Sequence, residues 1–471
     1  MAQELRSDVI HRVLDESKFV PECQDSIEKS CGCVKYIESN SELTDAEKER
    51  AKLLIYMNKD IENLIRIKGS TYPCKVCNKS GYTMLNCEHC MRSCLKRQFS
   101  NWTSGNDIID KMIQDAQMTL PTPRGFTEWI PFSDFEQVAY KTRGGFGEIF
   151  TAIWMKGYAK AFDQEKQEYI RSGPFKVILK VLSKSNKPNE NFLKELQTHL
   201  TLTSNANMIV PCLGVSRRPE SDDYILVLKE MKYDLRSYIQ ENFKTLTWQD
   251  LYHVFRYICN TLRRFHQANI VHRDLHSGNV LKRFGGWYIA DLGLCGPADK
   301  TEKDVFGILP YIAPEVLRDN KYTPEADIYS VGMLMYECCT GKLPFYDYNC
   351  DNVLAICAGM RPPIPEGLPE SYVKMMKRCW ADNPSMRPTA VEAWEFFGQQ
   401  IQKLEPMELV FKDPIYISDR PLSRVYQFSN LLNSREDYDF NINLDEINGN
   451  ESFSSFFQES LQIHDESIPV K

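Results

Sequence analysis

His272-Arg273-Asp274-Leu275-His276-Ser277-Gly278-Asn279 is followed twelve residues later by Asp291-Leu292-Gly293. Other short polar runs flank this pair on both sides. Upstream lies Lys141-Thr142-Arg143-Gly144-Gly145-Phe146-Gly147-Glu148-Ile149-Phe150. Glycines there would let backbone N–H groups approach phosphates closely, although one glycine-rich turn by itself is equally an ordinary hairpin. Val177-Ile178-Leu179-Lys180 reads as a strand ending in a lysine, which alone is no more than a strand with a snorkelling charge. Phe192-Leu193-Lys194-Glu195-Leu196 sits on a helical pattern and offers that lysine a carboxylate. Downstream come Ala313-Pro314-Glu315, Asp327-Ile328-Tyr329-Ser330-Val331-Gly332 and Arg387-Pro388. Any one of these runs could be chance. Their joint order could not.

In this order and at these spacings the chain resembles the protein kinases over residues 132–402. It is most similar to the tyrosine-kinase-like group, and within it to the kinases expanded in arbuscular mycorrhizal fungi. Those share a cysteine-rich front, the run Asn101-Trp102-Thr103-Ser104-Gly105 and a Leu309-Pro310-Tyr311-x-Ala313-Pro314-Glu315 segment. The resemblance implies an α+β, two-lobed kinase fold: a small antiparallel β-rich lobe with one helix (about 132–230) and a larger helical lobe (about 231–402). It implies an intracellular signalling enzyme that moves the γ-phosphate of ATP to a protein hydroxyl. Such chemistry is mainly positioning and charge neutralisation, because the transition state spreads negative charge over several oxygens.

On that resemblance Lys180 holds the α- and β-phosphates and Glu195 fixes Lys180. Asn279 and Asp291 bind Mg²⁺, with Mn²⁺ as an alternative, and Asp274 accepts the substrate proton. Gly144, Gly145 and Gly147 cover the phosphates. Ile149 and Ile178 line the nucleotide site, Leu228 is the gatekeeper, and Lys229, Glu230 and Met231 form the hinge. Arg273 pairs with a phosphate on the activation segment, Glu315 bridges to Arg387, and Asp327 braces the catalytic loop. Thr142 replaces the usual first glycine and Ile178 the usual alanine, which narrows the site and keeps a pseudokinase scaffold as the alternative. His276 and Ile308 occupy positions where serine/threonine kinases carry a lysine and a threonine. The tyrosine-kinase inserts are absent too, so serine/threonine specificity is expected. Between Asp291 and Glu315 the hydroxyl side chains are Thr301 and Tyr311. Tyr311 is expected beneath the substrate loop, which leaves Thr301 as the expected phosphosite.

The rest of the chain is built differently. Residues 1–70 read as helical, with Thr44-Asp45-Ala46-Glu47 as a capping box, apolar residues from Leu53 to Ile65 at helical spacing, and Gly69 as a stop. Cys23, Cys31 and Cys33 read as buried or idle thiols. Within residues 71–120, Cys74-x2-Cys77 and Cys87-x2-Cys90 present two thiolate pairs able to surround one Zn²⁺ in a small zinc-ribbon-like module. A closed four-cysteine site is structural, and Cys94 and His89 are spare donors. Lys75, Lys79, Arg92, Lys96 and Arg97 beside aromatic residues keep nucleic-acid binding as a minor reading. A proline-containing connector spans 121–131. From 403 to 471 the chain is acidic and serine-rich, a composition expected to be largely disordered.

Of 471 residues, 42% are hydrophobic and 26% charged, so the bulk is expected to be globular. The net charge of −7 resides in 403–471, where thirteen acidic residues face six basic ones; the remainder carries 51 of each. Neither a signal-peptide pattern nor a membrane-length apolar run is evident, and sixteen cysteines are too sparse for a secreted disulfide scaffold, so a soluble, cytoplasmic protein is expected. The oligomeric state stays open.

Overall fold

The computed structural model describes residues 5–6, 9–10, 13–14, 17, 29–66, 70–119, 126–144, 147–181, 190–203, 208–221, 223–283, 286–298, 304–346, 353–403 and 424–427. Two helices come first, α1 (Lys29–Ser39) and α2 (Asp45–Arg66). The reciprocal cap anticipated at α2 is present: Thr44 N donates to Glu47 Oε2 at 2.9 Å and Glu47 N to Thr44 Oγ1 at 3.4 Å. Arg6 also donates to Glu47, which lowers the Glu47 pKa and ties the extreme front to this cap. Ile10, Val13, Leu14, Ile37, Leu43 and Ala51 form the small core beneath.

A cysteine-bearing unit follows: the hairpin β1 (Tyr72–Pro73) and β2 (Ser80–Gly81), then helix α3 (Glu88–Gln98). Cys74 and Cys77 sit in the hairpin turn. Cys87 is the N-cap of α3 and Cys90 lies in its first turn. The second pair is therefore set on a helix end. Cys94 is buried in the middle of α3. Asp60 of α2 accepts Met84 N and Leu85 N at 2.8 and 2.9 Å, docking the front helix on this unit.

Helix α4 (Asp107–Thr119) leads to the small lobe. Its strands are β3 (Glu128–Trp129), β4 (Phe135–Gly144), β5 (Gly147–Trp154), β6 (Ala159–Asp163), β7 (Glu168–Arg171), β8 (Phe175–Val181), β9 (Cys212–Arg217) and β10 (Tyr224–Lys229), with helix α5 (Glu190–Thr203). Six of them form one sheet in the order β3-β9-β10-β8-β5-β4, antiparallel except for β3 beside β9. Alternate residues of β8 point to one face, so Val177, Leu179 and Val181 enter the sheet core with Ile225 and Val227. Hairpin β6–β7 stands apart from that sheet and reaches the cysteine unit. Gln164 Oε1 accepts Cys87 N at 3.1 Å, and Phe162 packs among Cys87, Cys90 and Cys94.

The large lobe contains β11 (Tyr233–Asp234), α6 (Leu235–Asn242), α7 (Trp248–Gln267), β12 (Ile270–Val271), β13 (Val280–Arg283), β14 (Gly286–Ile289), β15 (Gly296–Pro297) and β16 (Asp304–Gly307). It closes with α8 (Pro314–Asp319), α9 (Pro324–Thr340), α10 (Val353–Cys357), α11 (Glu370–Cys379) and α12 (Ala390–Lys403). Helix α9 is buried along nearly its whole length, as an apolar helix must be; α7 and α11 pack against it, and α12 packs on α7. Beyond α12, β17 (Arg424–Gln427) pairs antiparallel with β16. The composition of the acidic tail gave no sign of this strand. The other tail residues lie outside those described.

Candidate active site

The small-lobe sheet carries its chemistry on adjacent strands. β8 places Lys180 opposite Ile149 of β5 and Leu226 of β10. Glu195 lies on the inner face of α5, fully buried, and accepts from Lys180 Nζ at 2.7 Å. The same ammonium reaches Asp291 Oδ1 at 2.7 Å, so one cation holds two carboxylates from different lobes. Burial works against the Lys180 charge, but Asp291 and Glu195 outweigh it and raise its pKa. For Asp291 burial favours the neutral acid, and Lys180 again prevails, leaving the carboxyl lowered and ionised. Gly293 packs close to this carboxylate: a Cβ at that position would lie 3.0 Å from Glu195 Oε2.

Gly144 pairs with Gly147 at the end of the β4–β5 hairpin, and Thr142 pairs with Ile149. Gly145 lies outside the described residues. Ile178 stands between Thr151 and Leu228 across the sheet. Glu230 and Met231 follow β10, where the Glu230 carbonyl accepts from Arg283 and its carboxylate from Lys176.

In the turn from His272 to Asn279 the backbone is held by Asp327. One of its carboxylate oxygens accepts His272 N at 2.9 Å, the other Arg273 N at 3.0 Å, and His266 Nε2 lies 2.9 Å away. Arg273 has φ +72°, a strained value that this brace offsets. Asp274 N donates to His272 Nδ1, and Asn279 Nδ2 donates to the Asp274 carbonyl at 2.9 Å. His276 Nδ1 accepts Gly278 N at 3.1 Å, so the imidazole is neutral and carries its proton on Nε2, 3.8 Å from Asp274 Oδ2. Burial presses the His276 pKa down to about 4, with Asp291 opposing and Arg236 adding to the effect.

Glu315 and Arg387 form a two-pronged pair at 2.6 and 2.8 Å. Arg273 Nη2 donates to the Pro297 carbonyl at 2.8 Å, and its guanidinium lies over Tyr322. Its expected partner Thr301 is outside the described residues. Sequence reasoning missed a buried network below the turn. Glu337 accepts from Arg236 Nε, Ser277 Oγ and Tyr311 Oη at 2.9, 2.8 and 2.5 Å. The Tyr311 hydroxyl is thus buried against Glu337 of α9. The signal available was a glutamate in the otherwise apolar run of α9.

The four cysteine sulfurs lie within 4.8 Å of one another, with Cys74–Cys90 at 3.8 Å and Cys77–Cys87 at 3.6 Å. Four thiolates about 2.3 Å from a common centre would stand about 3.8 Å apart, so the set fits a tetrahedral ion. Val76 N and Cys77 N donate to Cys74 Sγ.

A family model described as protein tyrosine and serine/threonine kinase matches residues 140–397. The dual specificity protein kinase pyk3 of Dictyostelium discoideum is 26% identical over 73% of this chain and 24% of its own length. The "Probable serine/threonine-protein kinase drkA" of the same organism is 28% identical over 54% of this chain and 38% of its own. The proto-oncogene tyrosine-protein kinase ROS of Rattus norvegicus is 31% identical over 58% and 12%. The chain therefore spans less than two fifths of the length of these relatives.

Proposed function

The chain belongs to the protein tyrosine and serine/threonine kinase family, and from that membership we propose that it transfers the γ-phosphate of ATP to serine or threonine hydroxyls of protein substrates. The observation that carries the reading is the Lys180 ammonium held between Glu195 and Asp291, at 2.7 Å from each.

Lys180 positions the α- and β-phosphates, beneath a roof of Gly144, Gly145 and Gly147 and beside Ile149, Ile178 and Leu228, with Glu230 and Met231 at the adenine edge. Asn279 and Asp291 hold Mg²⁺. The donors suit a hard cation, since Asn279 commits its amide nitrogen to the Asp274 carbonyl and so leaves its amide oxygen to a cation, as Asp291 would its carboxylate. When bound, Mg²⁺ neutralises charge on the phosphates. Asp274 orients the acceptor hydroxyl and takes its proton. His276, neutral with its Nε2 proton, stands as a donor beside that carboxylate. Arg273 answers a phosphate on Thr301.

We place the chain in the tyrosine-kinase-like group, near the kinases of arbuscular mycorrhizal fungi, on its cysteine-rich front and its Leu309-Pro310-Tyr311 segment. We read it as an intracellular signalling enzyme. No described helix is long and apolar enough to cross a membrane. Cys74, Cys77, Cys87 and Cys90 bind a structural Zn²⁺, a reading supported by the sulfur spacings. Steady-state transfer of radiolabel from ATP to dephosphorylated casein tests the enzyme reading. Wild type should label casein, and Lys180→Met and Asp274→Asn should each lower the rate at least a hundredfold. Equal labelling by wild type and Asp274→Asn would defeat the assignment.

A further inference from the structure

β16 is a strand edge leading straight into the segment Ile308–Tyr311, and among the described residues its sole strand partner is β17. The register pairs Asp304 with Gln427, Val305 with Tyr426, Phe306 with Val425 and Gly307 with Arg424. Phe306 N donates to Tyr322 Oη at 3.1 Å, on the side facing the large lobe. Because backbone groups alternate along a strand, those of Val305 and Gly307 face β17. Gly307 has φ +132°, and a Cβ there would lie 3.3 Å from Asp274 Oδ1. The start of β17 is thus paired with the residue that lies against the proposed proton acceptor. An extended peptide delivering a hydroxyl to Asp274 would have to pass along this same edge.

We propose that the segment around Arg424–Gln427 is an internal occupant of the protein-substrate track, docked by strand addition to β16 and competing with substrate peptides. The inference rests on the kinase reading. The linkage is long enough: residues 404–423 separate α12 from β17, and twenty residues can span roughly 66 Å when extended. A four-residue ladder is also short enough to be displaced, as a regulated occupant must be.

The test uses the full chain and two substitutions outside the catalytic machinery. Tyr426→Pro removes a backbone donor facing β16, whereas Tyr426→Phe keeps it and removes only the hydroxyl. Hydrogen exchange at Val305 and Gly307 should be faster in Tyr426→Pro than in wild type. Its kcat/KM for dephosphorylated casein should rise at least threefold through a lower casein KM, with the ATP KM unchanged and Tyr426→Phe behaving as wild type. Unchanged exchange overturns the docking. Faster exchange with unchanged casein kinetics, or a change confined to the ATP KM, overturns the competition. No transfer by any of the three proteins defeats the kinase reading and with it the competition, while the exchange rates still decide the docking.

Discussion

His276 shows what single residues settle. Its neighbour Gly278 donates to Nδ1, an arrangement that a protonated ring cannot accept. The folded-state pKa of about 4 lies below the ordinary 6.5, so the unfolded chain takes up a proton first as pH falls. Stability from this group is full above pH 6.5 and is lost progressively down to pH 4. Between pH 7 and 5 the loss is about 2 kcal/mol. His276→Asn, which keeps a possible cap acceptor, should shrink the shift in denaturation midpoint between those two pH values. An unchanged shift would place the slope elsewhere. The pairing of Lys180 with Glu195 was legible in the sequence, because a strand-end lysine and a carboxylate on a helical pattern fifteen positions later suit each other. Arg236, Ser277 and Glu337 were not: Arg236 and Glu337 meet across 101 positions, and buried polar pairing leaves no local periodicity.

At the scale of elements, α4 matters most for the site. Ile109 and Ile113 are fully buried against Phe192 and Leu196 of α5, with Trp102 beside them. A helix outside the two lobes therefore backs the helix that carries Glu195. Ile113→Ala should remove about 2–4 kcal/mol of packing. If part of that loss falls on the α4–α5 contact, kcat should drop several-fold because Glu195 no longer fixes Lys180, and Ile113→Leu should restore it. A kcat identical to wild type in Ile113→Ala, with the stability loss intact, would show that α5 holds its place without α4. The sequence displayed the helical pattern of α5 and the strand pattern of β8. It did not display the insertion of β6–β7 or the parallel edge strand β3, whose two residues are too short to carry a period.

Across the whole molecule the cysteine unit is a hub. It touches α2 through Asp60, hairpin β6–β7 through Gln164, and reaches α5 through α4. Native mass spectrometry should find one Zn²⁺ per chain, and its removal by a chelator should lower the thermal midpoint by several degrees. Metal-free protein at full stability would contradict that role.

The pairing of β16 with β17 also bears on when the molecule becomes itself. Val305 and Tyr426 are partners although 121 positions apart. Closing a free loop of that length costs about 4 kcal/mol, more than a four-residue ladder returns, so the strand can add only after the large lobe has brought its edge into place. During synthesis everything up to α12 emerges before β17 does. Each newly made chain thus passes through an interval in which its lobes are complete and its substrate track is open.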